Sequence, residues 1–186
     1  MRLPVHVQSW QIECCMDPPS VGDEVTWQLL FTEQGDRDDP VGPGLVELDL
    51  VAACLDDGTP RFGSADPRYG TWLGAPGVAD GLSLYWVARR PTAGPVRVTG
   101  YIGEDHHAGA PESFPETQGT IRRIRVVTRH MVEAAPKNWQ PTAEPVGYED
   151  VTTSPDRFSS TLCAGEVGTV QTGILVDLDV RVDRGA

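Results

Sequence analysis

No stretch of the 186-residue chain approaches the ~18 apolar residues that a membrane-crossing helix requires, because charge interrupts the longest candidates every second or third position. The opening segment MRLPVHVQSWQIECC also lacks the uninterrupted apolar run of a secretory signal. Both absences predict a cytoplasmic protein with no membrane partner. Positive charge is scarce as well. Lys+Arg 15 against Asp+Glu 27 leave a formal net charge of −12, the opposite of the footprint that binds phosphate backbones, so no nucleic-acid partner is expected. Helical periodicity is missing: no twelve-residue window keeps apolar residues at i, i+3, i+4 and i+7 without a Pro or Gly inside it. Only Arg129 to Ala135 allows a helical turn or two before Pro136. Catalytic templates are missing too, since the chain has no GxSxG elbow, phosphate loop, dinucleotide fingerprint or HExxH.

What the sequence does have is turns and alternation. Glycine (20) and proline (16) together exceed the ~12% of an average chain without reaching the composition of a disordered one. Between them lie short stretches with period-two apolar patterning. Ile174, Val176, Leu178, Val180 and Val182 alternate with Asp177, Asp179, Arg181 and Asp183. Val25, Trp27, Leu29 and Phe31 follow the turn Gly22-Asp23, and Val46 to Cys54 ends at Asp56-Asp57-Gly58, with Cys54 in the core-facing phase. Leu3 to Trp10, Leu82 to Arg89, Val96 to Ile102 and Thr120 to Val127 complete a set of about seven strands.

Thr32 to Gly44, Asp56 to Asp80 and Ala134 to Ser160 read as long loops. The pattern predicts a mainly β protein, a small, partly open barrel of the SH3 or OB type with long loops and a C-terminal strand or hairpin. A β-sandwich is the alternative. The length suits a single domain over 1–186. The alternative partition is a main β module over 1–133, a loop over 134–160 and a C-terminal hairpin over 161–183.

Few residues announce chemistry. Adjacent Cys14 and Cys15 form no CxxC motif, and closing so small a ring strains both the peptide and the S–S dihedral. With no export signal, all four cysteines are expected as free thiols. In an extended segment the pair would split, one thiol to the core and one to the surface.

His106-His107 follows Glu104-Asp105. If the fold brings this loop to Cys14 or Cys15, the four residues compose a zinc site, which makes a metal-binding protein or a metal- or Cys-dependent enzyme the alternative function. The plainer reading is a hydrogen-bonded loop in which Asp105 caps a turn, with no cofactor. Arg122, Arg123, Arg125 and Arg129, with Arg89, Arg90 and Arg97 nearby, form the one basic concentration, and pairing with the chain's own carboxylates outweighs a phosphate track. Asp177, Asp179 and Asp183 read as a solvated strand edge that discourages aggregation. Asp36-Arg37-Asp38-Asp39 lacks the Gly and terminal Glu of a calcium loop.

The motifs WQIECC, SVGDEVTW, GEDHHAG and QGTIRRIRVV, spread over about residues 8–130, resemble an uncharacterised actinobacterial family, a domain of unknown function. The resemblance implies no activity. It gives the Cys-Cys and His-His pairs company without a role, and Met16 and Pro19 depart from the family's pattern in the turn after Cys15. The expectation is therefore a binding or protein-interaction module without catalysis, its partner a protein or a small molecule.

Overall fold

The computed structural model describes residues 1–35, 43–55, 68–75, 81–105, 109–163 and 166–181. Among them, the elements run β1 (Arg2–Gln8), α1 (Ser9–Cys15), β2 (Glu24–Trp27), β3 (Leu29–Glu33), β4 (Val46–Cys54) and β5 (Tyr69–Gly74). Then come β6 (Ser83–Ala88), β7 (Gly94–Glu104), β8 (Thr117–Ala135), β9 (Asn138–Pro141), β10 (Gly147–Val151) and β11 (Val167–Val180). Among the described residues strand accounts for 62% and helix for 5%, which settles the mainly β class.

Five strands close into a barrel. β3 pairs β6 in parallel and β7 antiparallel, β6 pairs β5, β5 pairs β4, and β4 returns to β7. Read from β4, the ring has the neighbour order of an OB-type barrel whose chain starts at a different strand. It is closed where the sequence suggested a partly open one, because β7 has 11 residues and serves two partners along its length. Its first half pairs β4 and its second half pairs β3. Gly100 sits at the changeover, opposite Glu33 on one edge and Val46 on the other. A Cβ there would run into the Thr32 carbonyl oxygen and the Phe31 ring, so this crossing requires glycine.

The other strands extend from the same edge of β7 that β4 occupies. β7 meets β1 in parallel at Val5↔Ile102 and His6↔Gly103, β1 pairs β11, and β11 pairs β8. The far edge of β8 is taken in turn by β2, β10 and β9. One apolar cluster runs from Phe31, Leu50, Leu84 and Trp86 in the ring to Val5, Ile124, Ile174 and Leu178 in the outer sheet. Burial of each such side chain contributes roughly 1.5–3 kcal/mol, so the extension is as much part of the folded core as the ring. β6 is buried on both faces, because Tyr85 on its outer face packs against Phe114 with ring centroids 5.3 Å apart.

Two bulges tune which side chains face out. Asp177 pairs Arg123 and the next residue, Leu178, pairs Ile121, which leaves Arg122 as an extra residue in β8. Ile121 and Ile124 can then both reach the core although they are three apart, while Arg122 and Arg123 both face solvent. Thr172 is the extra residue of β11, between the pairs Gln171↔Thr128 and Gly173↔Val127. Gly173 follows with φ +141°, and a Cβ there would meet the Val7 carbonyl oxygen.

Several sequence expectations need correction. The strand expected over Leu3 to Trp10 stops at Gln8, and Ser9–Cys15 is helical, too short for a twelve-residue window to detect. The strand expected from Val25 to Phe31 divides at Gln28: β2 joins β8 outside the ring and β3 joins the ring. Arg129 to Ala135 continues β8 as strand, since ladder pairing with β9 and β11 overrides weak local helix preference. The expected loops 56–80 and 134–160 contain β5, β9 and β10, whose exposed or Gly-bounded sequences carry little alternation. β11 is an interior strand paired on both edges, so its aspartates do not guard an edge. Cys54 is half-buried rather than in the core. Asp36, Arg37, Asp38, Asp39 and Asp183 lie outside the described residues.

Candidate functional site

Cys14 and Cys15, expected as free thiols, are joined in a disulfide. The helical turn keeps both at the exposed end of α1 instead of splitting them across a strand, and a bonded pair presents no thiolate to zinc. Cys54 and Cys163 remain thiols. His106 and His107 lie outside the described residues. Among the described residues, no group of three His, Cys, Asp or Glu side chains is placed to hold a metal ion. The loop's base behaves as the plainer reading expected: Asp105 Oδ1 accepts from the Gly109 N–H at 3.0 Å and Oδ2 from the Ala110 N–H at 2.7 Å.

The basic concentration is largely consumed internally. Arg122 reaches Asp179 at 3.2 Å, Arg123 grips Asp150 through two bonds of 2.5 and 2.8 Å, and Arg125 pairs with Asp177. Arg97 likewise binds Asp49 at 2.8 and 3.0 Å. These guanidiniums hold the carboxyls of Asp49, Asp150 and Asp179 below their ordinary values. Arg129 shares the outward phase of Arg123 and Arg125 but lies four residues further along β8.

Where Arg129 faces is a cleft of about 900 Å³ that crosses six adjacent strands. Ladder registers put its lining in one transverse row. Leu30 and Thr32 of β3 lie beside Gly103 and Tyr101 of β7, and Gly103 lies beside His6 of β1. Gln8 of β1 lies opposite Gly173, next to the bulged Thr172 of β11. Arg129 and Met131 of β8 follow, and Met131 pairs Pro141 of β9. Gly35 and Pro43 add the rim. His6, Gln8, Arg129 and Met131 point this way because Val5 and Val7, and Ile124 and Val126, occupy the core-facing phase of the same strands.

Two polar groups in this region are unusual. Among the described residues the buried Thr172 hydroxyl has no hydrogen-bond partner, a condition most native hydroxyls avoid. Glu104 ends β7 in the same phase as Val98, Gly100 and Ile102, and it is buried with them. Burial pushes its carboxyl up to about 7, with the charge of Asp105 adding to the effect.

Glu104 is held by Gln11, itself buried in α1. Gln11 Nε2 donates to Glu104 Oε2 at 2.7 Å and to its carbonyl oxygen at 3.1 Å, while Gln11 Oε1 accepts from the Gln8 N–H at 2.7 Å. The Trp-Gln motif thus starts the helix and anchors it to the end of the barrel strand. Sequence reading passed over His6, Gln11 and Thr172, and took Glu104 only as a carboxylate beside the His-His pair. Period-two counting from Ile102 would have flagged Glu104 as a carboxyl in a buried phase. No local signal marks the outer face of β1 as concave.

These features define a closed five-stranded barrel extended by an antiparallel sheet, with a polar-lined cleft across the shared surface. A family described as a family of unknown function (DUF6578) matches residues 1–180, and the chain belongs to it. No curated protein and no solved structure matches the chain.

Proposed function

We propose that this protein is a cytoplasmic binding module without catalysis, and that a small amphipathic molecule occupies the cleft between Thr32, Tyr101, His6 and Arg129. The observation that carries the reading is the cleft itself. At about 900 Å³ it falls in the range of small-molecule sites, ~300–1,000 Å³, and it mixes apolar walls with a few convergent polar groups. Leu30, Pro43, Ile102, Met131 and Pro141 supply apolar surface, and His6, Arg129, Gln140 and Thr172 supply donors and acceptors. The unpartnered Thr172 hydroxyl supports a ligand group that completes it. Nucleic acid and membranes are not the partner in this reading, which is supported by the net charge of −12 and by the internal pairing of Arg122, Arg123 and Arg125.

The test is a nuclear magnetic resonance screen with a set of aromatic carboxylates. Amide shift changes should cluster at His6, Thr32, Tyr101, Arg129 and Met131, and a Met131→Trp variant that fills the cleft should abolish them. Shifts scattered over the surface, or unchanged by that variant, would refute the reading.

A further inference from the structure

We infer that Cys14–Cys15 is a redox-active site that reacts with a dithiol partner. The two sulfurs are bonded at the last two positions of α1, and both residues are exposed. A disulfide stabilises a fold mainly by closing a loop of chain, and more so the longer the loop. Here the sequence separation is 1, so no chain is enclosed.

The bond is not what holds the helix in place either. Gln11 ties α1 to Glu104, Ile12 enters the core, and Glu13 Oε1 accepts from the Phe158 N–H at 2.8 Å. A bond that encloses no chain, on a helix that these other contacts already hold, contributes little to the fold. Its exposure is what an attacking thiolate needs, and exposed disulfides are the labile, regulatory or catalytic ones. Cys54 and Cys163 remain thiols in the same chain, and the bridge joins the one pair that is adjacent in sequence.

In the reaction, one thiolate of the dithiol attacks a sulfur of the pair. The Cys14–Cys15 bond breaks, its electrons leave with the other sulfur, and a mixed disulfide forms. The partner's second thiolate then attacks that mixed disulfide and departs as the partner's own internal disulfide. Two electrons and two protons pass from the dithiol to Cys14 and Cys15, which end as two thiols, and an oxidised partner reverses the sequence.

The test uses the full chain purified without reductant. Half the sample is treated with dithiothreitol under native conditions, both halves are alkylated with iodoacetamide, and the peptide containing Cys14 and Cys15 is weighed. The expected result is an unalkylated, bridged peptide before treatment and a doubly alkylated one after it. Glutathione disulfide added to reduced, unalkylated protein freed of dithiothreitol should restore the bridge, and the native melting temperature should be the same in both forms. The Cys14→Ser, Cys15→Ser double variant should melt with the oxidised protein. A pair that is alkylated in protein purified without reductant, and is still alkylated when the protein is incubated with glutathione disulfide before iodoacetamide is added, would overturn the inference. So would a bridge that yields only after denaturation, or a large fall in melting temperature on reduction or in the double variant, which would make the bond structural.

Discussion

Replacing Glu104 by Gln separates the energetic role of this buried carboxyl from everything else that titrates. The Glu104 carboxyl is pushed from an ordinary 4.5 up to about 7, first by burial and then by the neighbouring charge of Asp105. The folded protein therefore binds a proton that the unfolded chain releases. Stability from this group is fully present below the unfolded value and is lost as pH rises from about 4.5 through about 7, after which the loss is complete. A shift of that size corresponds to about 3 kcal/mol as an upper bound, and to ~2 kcal/mol once solvent access through the cleft is allowed for. Gln cannot ionise, and its carbonyl oxygen can still accept from Gln11 Nε2. The Glu104→Gln variant should match the native protein near pH 5 and exceed it by ~2 kcal/mol near pH 8, a difference of roughly 4–8 °C in melting temperature for a chain of this length. Urea unfolding of both proteins across that range measures the difference directly, with other titrating groups cancelling. A constant difference across the range, or a native protein that gains on the variant as pH rises, would refute the burial argument.

Gln11→Leu should cost about 1–3 kcal/mol in urea unfolding, because it leaves the Gln8 N–H and the Glu104 carbonyl without their partner. A near-neutral result would show that water replaces the side chain. Gly100→Ala should cost about 1–3 kcal/mol, since the added methyl meets the Thr32 carbonyl and the Phe31 ring at the closure of the barrel; a stabilised variant would mean that the crossing relaxes freely. Single-stranded oligonucleotides should show no fluorescence-anisotropy change at ~0.15 M salt, where binding depends on unpaired cations. Micromolar affinity there would mean that the Arg122, Arg123 and Arg125 pairs open to phosphate.

The sequence determined the class of this protein. Alternation along Leu48 to Ala52, Val98 to Ile102 and Ile174 to Val180 could be satisfied only by strands with one buried face, and the abundant turn residues kept those strands short. It also carried the base of the Asp105 loop and the self-pairing of the arginines, because both depend on near neighbours or on a large excess of carboxylates. Tertiary structure decided the rest. Whether the ring closes depends on β7 reaching both β3 and β4, a long-range match that no window around Gly100 reports.

Bulges at Arg122 and Thr172 are one-residue insertions relative to a partner strand, so they exist only once β8 and β11 are paired. Without the first, alternation would have divided the arginines between faces; with it, Arg122 and Arg123 share one. The helix over Ser9–Cys15 is stabilised by Gln11 on Glu104, a contact across 93 residues, and that distant partner brings the vicinal cysteines together at an exposed end. The cleft is the most non-local feature. His6, Thr32, Tyr101, Arg129 and Thr172 become neighbours only because six strands, drawn from both ends and the middle of the chain, lie side by side in one curved sheet.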